Sequence, residues 1–493
     1  MRLILLSAVC AALLAAQDSD SVLLTSVMYR TQQASNTSLT DEQRAEVNRL
    51  GQLGQQLGTA GKYGEAMRSF HHGMAVMQGV PWSTSLEFAS SIQAKVDHAL
   101  AQPGKTVTVS LTSMYATEKP VADTFTATVV LRNARGPASA ETVVADAKAL
   151  DPAKLPVSIT VPVPADAQGY DLLEVRLVPS EGTVDPKAKT RFTKSIPVRI
   201  ESLSAQIAAL RERLTGAKAQ DSPAVLAASY TASLYDWADA GTVNPQRYDF
   251  RKEIANAIAL IDAVDGGVDP FASKKGDFRR AYRSDVDQQL QPYRIFVPDS
   301  YDGTKAAPLV VALHGMGGNE DSMFDGYEQN LKREAAKHGF LVACPKGRTM
   351  ASMYRGSAEK DVMDVLADVR RDYKVDGNRI YLMGHSMGGY GTWTVAMNHP
   401  DVFAALGPFA GGGNPAGMAK IKDIPEYVVH GDDDKTVSVA ASRMMVEAGK
   451  KVGAPIEYVE VPGGSHSGIV APNIAAMLDF FAKQHKSEAV GAN

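Results

Sequence analysis

Gly384-His385-Ser386-Met387-Gly388 is the stretch on which the reading of this chain turns. It has the pattern G-x-S-x-G. Upstream, Arg379 to Met383 is a short β-prone run launched by the turn Asp376-Gly377-Asn378, and downstream Gly389 to Asn398 reads as a helix that stops before Pro400. A serine on so sharp a strand-to-helix turn is held in strained backbone angles. Its neighbours must be glycines, because a Cβ there would collide with the adjoining strand and helix. The turn lifts the hydroxyl clear of the sheet, and the helix start behind it offers N–H groups to a developing negative charge. A pentapeptide also arises by chance, so its partners decide.

A serine nucleophile needs a base to take its proton and an acid to orient that base. The acid is sought after the predicted strand Glu426–His430, in His430-Gly431-Asp432-Asp433-Asp434-Lys435-Thr436-Val437. Asp434 is preferred because it stands three residues beyond Gly431, far enough round the turn to point back over the sheet; Asp432 is the alternative. The base is expected at His466, in the glycine-rich loop Pro462-Gly463-Gly464-Ser465-His466-Ser467-Gly468 after the strand Ile456–Val461. Each of the three follows a predicted strand, and in an open α/β sheet such strand ends converge on the ligand crevice. The order serine, acid, histidine is the one such sheets use.

A fourth element follows the continuous apolar strand Pro308–Leu313, the kind buried on both faces of a parallel sheet. It is His314-Gly315-Met316-Gly317-Gly318-Asn319. Glycines there let the backbone approach a carbonyl oxygen, and the oxyanion hole is assigned to the main-chain N–H groups of Met316 and Met387. His385, Tyr390 and Trp393 are candidate substrate-binding residues, with Tyr354 a further aromatic wall. No metal or organic cofactor is called for by this chemistry.

With these motifs in place, residues from about 290 to 486 resemble the α/β-hydrolase superfamily, especially its short, lidless exported esterases. The stretches Tyr293 to Tyr301, Leu313 to Asn319, Gly384 to Trp393 and His430 to Asp434 carry the resemblance. The group includes feruloyl and acetyl-xylan esterases, polyhydroxybutyrate depolymerase-like proteins and predicted peptidases of the prolyl-oligopeptidase type. By resemblance Ser386 is the nucleophile, Asp434 the acid and His466 the base. Ser438 stands where the group usually has a proline after the acid motif's valine. The implied activity is hydrolysis of short-acyl or carbohydrate-linked esters, with a serine peptidase or an inert hydrolase-like binding protein as alternatives.

The remainder is less specific. At 493 residues the chain exceeds one core. Its formal net charge of −4 gives no general attraction to nucleic acid or anionic membrane. Arg2 followed by the apolar run Leu3–Ala16 reads as a secretory signal peptide over 1–16, too short to span a bilayer and implying a secreted or periplasmic protein. No stable membrane insertion is expected, and cleavage would leave Cys344 without a disulfide partner. We expect a flexible segment over 17–40, a helical hairpin over 41–102, a β-sandwich over 103–200 and a helical linker over 201–284. The catalytic domain, with a doubly wound, mostly parallel sheet, is placed at 285–486 and a flexible tail at 487–493. Within the hairpin, His71 and His72 read as surface or partly buried residues and not as metal ligands. The expected partner is a small-molecule or polysaccharide-linked ester; oligomeric state is left open.

Overall fold

In the computed structural model the described residues are 2–133, 141–167, 170–181 and 183–486, with side chains described from residue 19 onward except at 147. The expected tail over 487–493 lies outside them. The chain divides into two compact units, one formed by 1–217 and 231–262, the other by 218–230 and 263–493.

The second unit holds the predicted α/β sheet. Its eight strands are β1 (Gly276–Arg283), β2 (Leu290–Val297), β3 (Ala307–Leu313), β4 (Leu341–Pro345), β5 (Val375–His385), β6 (Ala405–Phe409), β7 (Glu426–Gly431) and β8 (Ile456–Val461). They lie in the order β1-β2-β4-β3-β5-β6-β7-β8. The pairs β1–β2 and β2–β4 are antiparallel and all the others are parallel. The main helices are α1 (Asn330–His338), α2 (Ser357–Asp372), α3 (Met387–Asn398), α4 (Ala440–Lys451) and α5 (Val470–Phe481).

Every residue of β3 is buried, as a central parallel strand requires. The period of two divides its side chains between the faces. Val310 and Ala312 of β3 join Val342 and Cys344 of β4 and Tyr381 and Met383 of β5 in one cluster with Leu331 and Ala335 of α1 and Ile474, Met477, Leu478 and Phe481 of α5. Each fully buried side chain of this size contributes about 1.5–3 kcal/mol relative to exposure, so the central strands form a rigid base for the loops at their C-terminal ends.

The boundary between linker and sheet needs correction. The charged stretch Ser273–Arg280, read as linker, contains most of β1, and the sheet begins at Gly276 rather than near Asp285. Lys274 and Lys275 are exposed, but Arg280 is 1% exposed, pairs with Asp372 and lies over the rings of Phe271, Tyr293 and Tyr373. A cation held this way fills an inward strand position that the sequence pattern assigns to solvent. The helix α4 was also not anticipated.

The first unit begins with a helix spanning Arg2–Ser35, where 17–40 was expected to be flexible. Val22 and Tyr29, seven residues apart, are buried in a cluster with Val47, Ala66 and Phe70. The hairpin is formed by helices Asp41–Thr59 and Tyr63–Gln78, the former opened by a capping box between Thr40 and Gln43. His71 is buried, its Nδ1 2.9 Å from the Tyr115 hydroxyl, and His72 stacks on Trp82.

Strands begin at Ile92, earlier than the expected 103. One antiparallel sheet orders Ile92–Val96, Thr106–Ser113 and Val157–Pro162. Another orders Glu141–Leu150, Phe125–Arg132, Leu172–Pro179 and Thr193–Pro197. Alternate residues of both, including Val107, Val109, Ile159, Phe125, Val129 and Val175, enter a single apolar cluster. Helices Ser204–Gly216, Pro223–Asp239 and Phe250–Asp265 follow. Among the described residues, no helix is long and apolar enough to cross a membrane.

Candidate active site

Ser386 joins β5 to α3 with φ 58° and ψ −115°, a conformation that costs a non-glycine residue about 1–3 kcal/mol. The surrounding packing enforces it. A Cβ on Gly384 would lie 2.4 Å from the Gly388 carbonyl oxygen, and one on Gly388 would lie 2.1 Å from that of Leu313. Both contacts are to backbone and neither can yield. The Ser386 N–H donates to Phe409 O at 2.9 Å, tying the turn to the end of β6.

The side chains predicted to act together do meet. His466 Nε2 is 2.9 Å from Ser386 Oγ, and His466 Nδ1 is 2.6 Å from Asp434 Oδ2. It is Asp434 and not Asp432 that reaches the ring. Asp432 is exposed, and its Oδ1 accepts the Gly463 N–H at 2.6 Å. The Asp434 side chain is fully buried, and Oδ1 accepts the N–H groups of Thr436 and Val437 at 2.8 and 2.9 Å. Burial alone would raise this carboxyl. The histidines beside it and the Val437 N–H outweigh that and hold it well below the usual carboxylate range. It stays ionised and keeps a proton on Nδ1 of His466, leaving Nε2 to face the serine.

The 314–319 loop lies beside the elbow: a Cβ on Gly315 would be 3.4 Å from that of Ser386. His314 is buried, with Nδ1 2.7 Å from Gly315 O and Nε2 2.6 Å from Lys346 O, and its own N–H donates to the Tyr354 hydroxyl at 2.9 Å. Gly317 N–H donates to Met350 O and Gly318 N–H to Gly315 O. The N–H groups of Met316 and Met387 have no carbonyl partner among the described residues. Both stand as candidate donors for an oxyanion, the first on the loop that adjoins Ser386.

The expected aromatic lining is largely different. Trp393 is fully buried, and its Nε1 donates to Glu426 Oε2 at 2.8 Å beneath α3, so it does not face a substrate. Tyr354 is also fully buried, its ring lying 2.6 Å from where a Cβ on Gly391 would stand. His385 is 4% exposed and both its ring nitrogens are engaged. Nε2 donates to the His466 carbonyl at 2.9 Å, and Nδ1 is 2.8 Å from the Tyr327 hydroxyl. Burial, then the neighbouring His466, push His385 down to about 3, so it is neutral and braces the histidine loop. Helix spacing cannot tell an inward aromatic of α3 from one at its rim. Tyr390 alone of the three candidates is partly exposed.

Glu426 was missed because it opens an apolar strand as a lone acid. It is 0% exposed, and burial lifts its carboxyl from 4.5 to about 7. The folded protein therefore holds it protonated where the unfolded chain has already ionised it. Its contribution to stability is complete below about pH 4.5, is lost as pH rises through about 7, and the loss reaches about 3 kcal/mol. Glu426→Gln keeps an acceptor for Trp393 and abolishes the titration. It is expected to raise the unfolding temperature at pH 8 and change it little at pH 4.5, as measured by thermal unfolding across pH.

The strand order, with a serine on the turn after β5 and an acid and histidine after β7 and β8, defines an α/β-hydrolase fold. Residues 294–402 match the family model described as BD-FAE. A bifunctional acetylxylan esterase/xylanase of Neocallimastix patriciarum is 30% identical over 136 residues, 27% of this chain and 20% of the relative. Feruloyl esterase B of Neurospora crassa is 34% identical over 128 residues, 24% of this chain and 42% of the relative. Dipeptidyl-peptidase 5 of Porphyromonas gingivalis is 27% identical over 128 residues, 24% of this chain and 19% of the relative. The chain thus spans less than half the length of each of these. Among solved structures, a thermostable esterase aligns with a TM-score of 0.38 and 18% identity, covering 80% of this chain and 100% of that one.

Proposed function

We propose that this chain is an exported serine ester hydrolase acting on short-acyl or carbohydrate-linked esters of the acetyl and feruloyl type. The observation that carries the reading is the unbroken line Ser386 Oγ, His466, Asp434 at 2.9 and 2.6 Å. His466 Nε2 takes the Ser386 proton as Oγ adds to the ester carbonyl. The Met316 and Met387 N–H groups hold the resulting oxyanion, and His466 returns the proton to the departing alcohol. Water then adds to the acyl-serine with His466 as base, releasing the acid and regenerating Ser386. The signal-peptide reading of 1–16 supports a secreted or periplasmic location. The sheets of the first unit serve as a β-sandwich module of structural role.

The matches to esterases acting on acetylxylan and feruloyl esters favour ester substrates, whereas the peptidase match supports a second reading with the same machinery. The purified chain is expected to be labelled by a fluorophosphonate and to hydrolyse p-nitrophenyl acetate, acetylated xylan or methyl ferulate faster than peptide p-nitroanilides. Labelling with faster anilide cleavage would establish the peptidase instead. Absence of both labelling and turnover would leave a hydrolase-like binding protein.

A further inference from the structure

His430 is the penultimate residue of the strand β7 and is 0% exposed. Its Nε2 lies 3.2 Å from Asp434 Oδ2, the oxygen that also meets His466 Nδ1, and 3.0 Å from Val437 O. Both neighbours are acceptors, so Nε2 carries the proton. On the far side Nδ1, unprotonated in this tautomer, accepts from the Ser442 hydroxyl of α4 at 2.7 Å, and Ser442 Oγ also lies 2.9 Å from Gly411 O. A buried ring anchored at both ends spans the carboxylate and the loop that follows β6.

Resting on the serine-hydrolase reading above, we propose that His430 is a positioning residue for the acid. It fixes Asp434 Oδ2 toward His466 and shares that oxygen's charge, with Ser442 as its anchor. An apolar neighbour of equal size would leave the carboxylate one donor short and free to turn on its Oδ1 contacts. The charge on Oδ2 would then concentrate on His466 and stabilise its protonated form.

The other titratable groups facing the cluster are accounted for. His385 packs at 4.7 Å against His466 and is neutral. Glu460 of β8 is engaged by Arg443 and the Tyr458 hydroxyl. Asp432 caps Gly463, and Asp433 pairs with Lys435 at 2.5 Å.

The test is the pH profile of p-nitrophenyl acetate hydrolysis by the full chain. Folded His430→Leu is expected to lose about 10- to 100-fold in kcat with KM nearly unchanged, and to move the acidic limb to higher pH. His430→Gln, whose amide can donate to Asp434, should recover most of the loss. Ser442→Ala leaves both histidines in place and should shift the limb in the same direction by less. If folded His430→Leu or Ser442→Ala keeps the wild-type kcat and limb, or loses activity only in proportion to its unfolded fraction, the proposal is overturned. The two readings fail separately. Equal turnover by wild type and Ser386→Ala removes the serine mechanism, whereas Ser386-dependent turnover that ignores His430 removes only this inference.

Discussion

Ser386→Ala is expected to lower kcat for p-nitrophenyl acetate by about 10⁴-fold or more and to abolish fluorophosphonate labelling. The fold should be untouched. The Oγ atom's hydrogen-bond contact is to His466 Nε2, and the packing that shapes the turn comes from Gly384, Gly388 and the Phe409 carbonyl, not from the hydroxyl. Thermal unfolding should therefore match the wild type within experimental spread while turnover vanishes. Residual hydrolysis at wild-type rate in pure protein would place the chemistry elsewhere.

The second large effect is expected at the acid. Asp434→Asn keeps the size of the side chain but offers an amide where a carboxylate now accepts from His466. The ring then loses its reason to carry a proton on Nδ1, and Nε2 no longer faces the serine as a base. A loss of about 10⁴-fold in kcat follows, with KM changed far less. Asp432→Asn is the matched control. Its carboxylate is exposed and bonds Gly463 N–H, so its removal should cost no more than a few-fold. Comparable losses in both variants would mean that the 432–434 turn as a whole, and not one carboxylate, orients the base.

Ser386, Asp434 and His466 were legible as candidates because each follows a β-prone run and sits at or beside a glycine-marked turn. The glycines themselves are explained by close backbone approaches at Gly384 and Gly388. The supporting shell was not legible. His430 was quoted in the acid motif yet reads as the last residue of a strand, and Ser442 lies in a helix that was not anticipated. Tyr327 reaches His385 across 58 residues, and Glu426 reaches Trp393 across 33. Local periodicity carries no information on contacts of that range. The edge strand β1 was hidden for a related reason: its inward charge is neutralised by an acid 92 residues away.

By itself, then, the amino-acid sequence determined the parallel sheet, the strained turn and the order of the three candidate residues. These depend on local patterns: apolar runs, glycines where a Cβ cannot fit, and loops at strand ends. Only the tertiary structure decided between Asp434 and Asp432, turned Trp393, Tyr354 and His385 inward, and brought His430 against the acid. Those choices rest on distances between segments far apart in the chain, which packing sets and no single segment encodes.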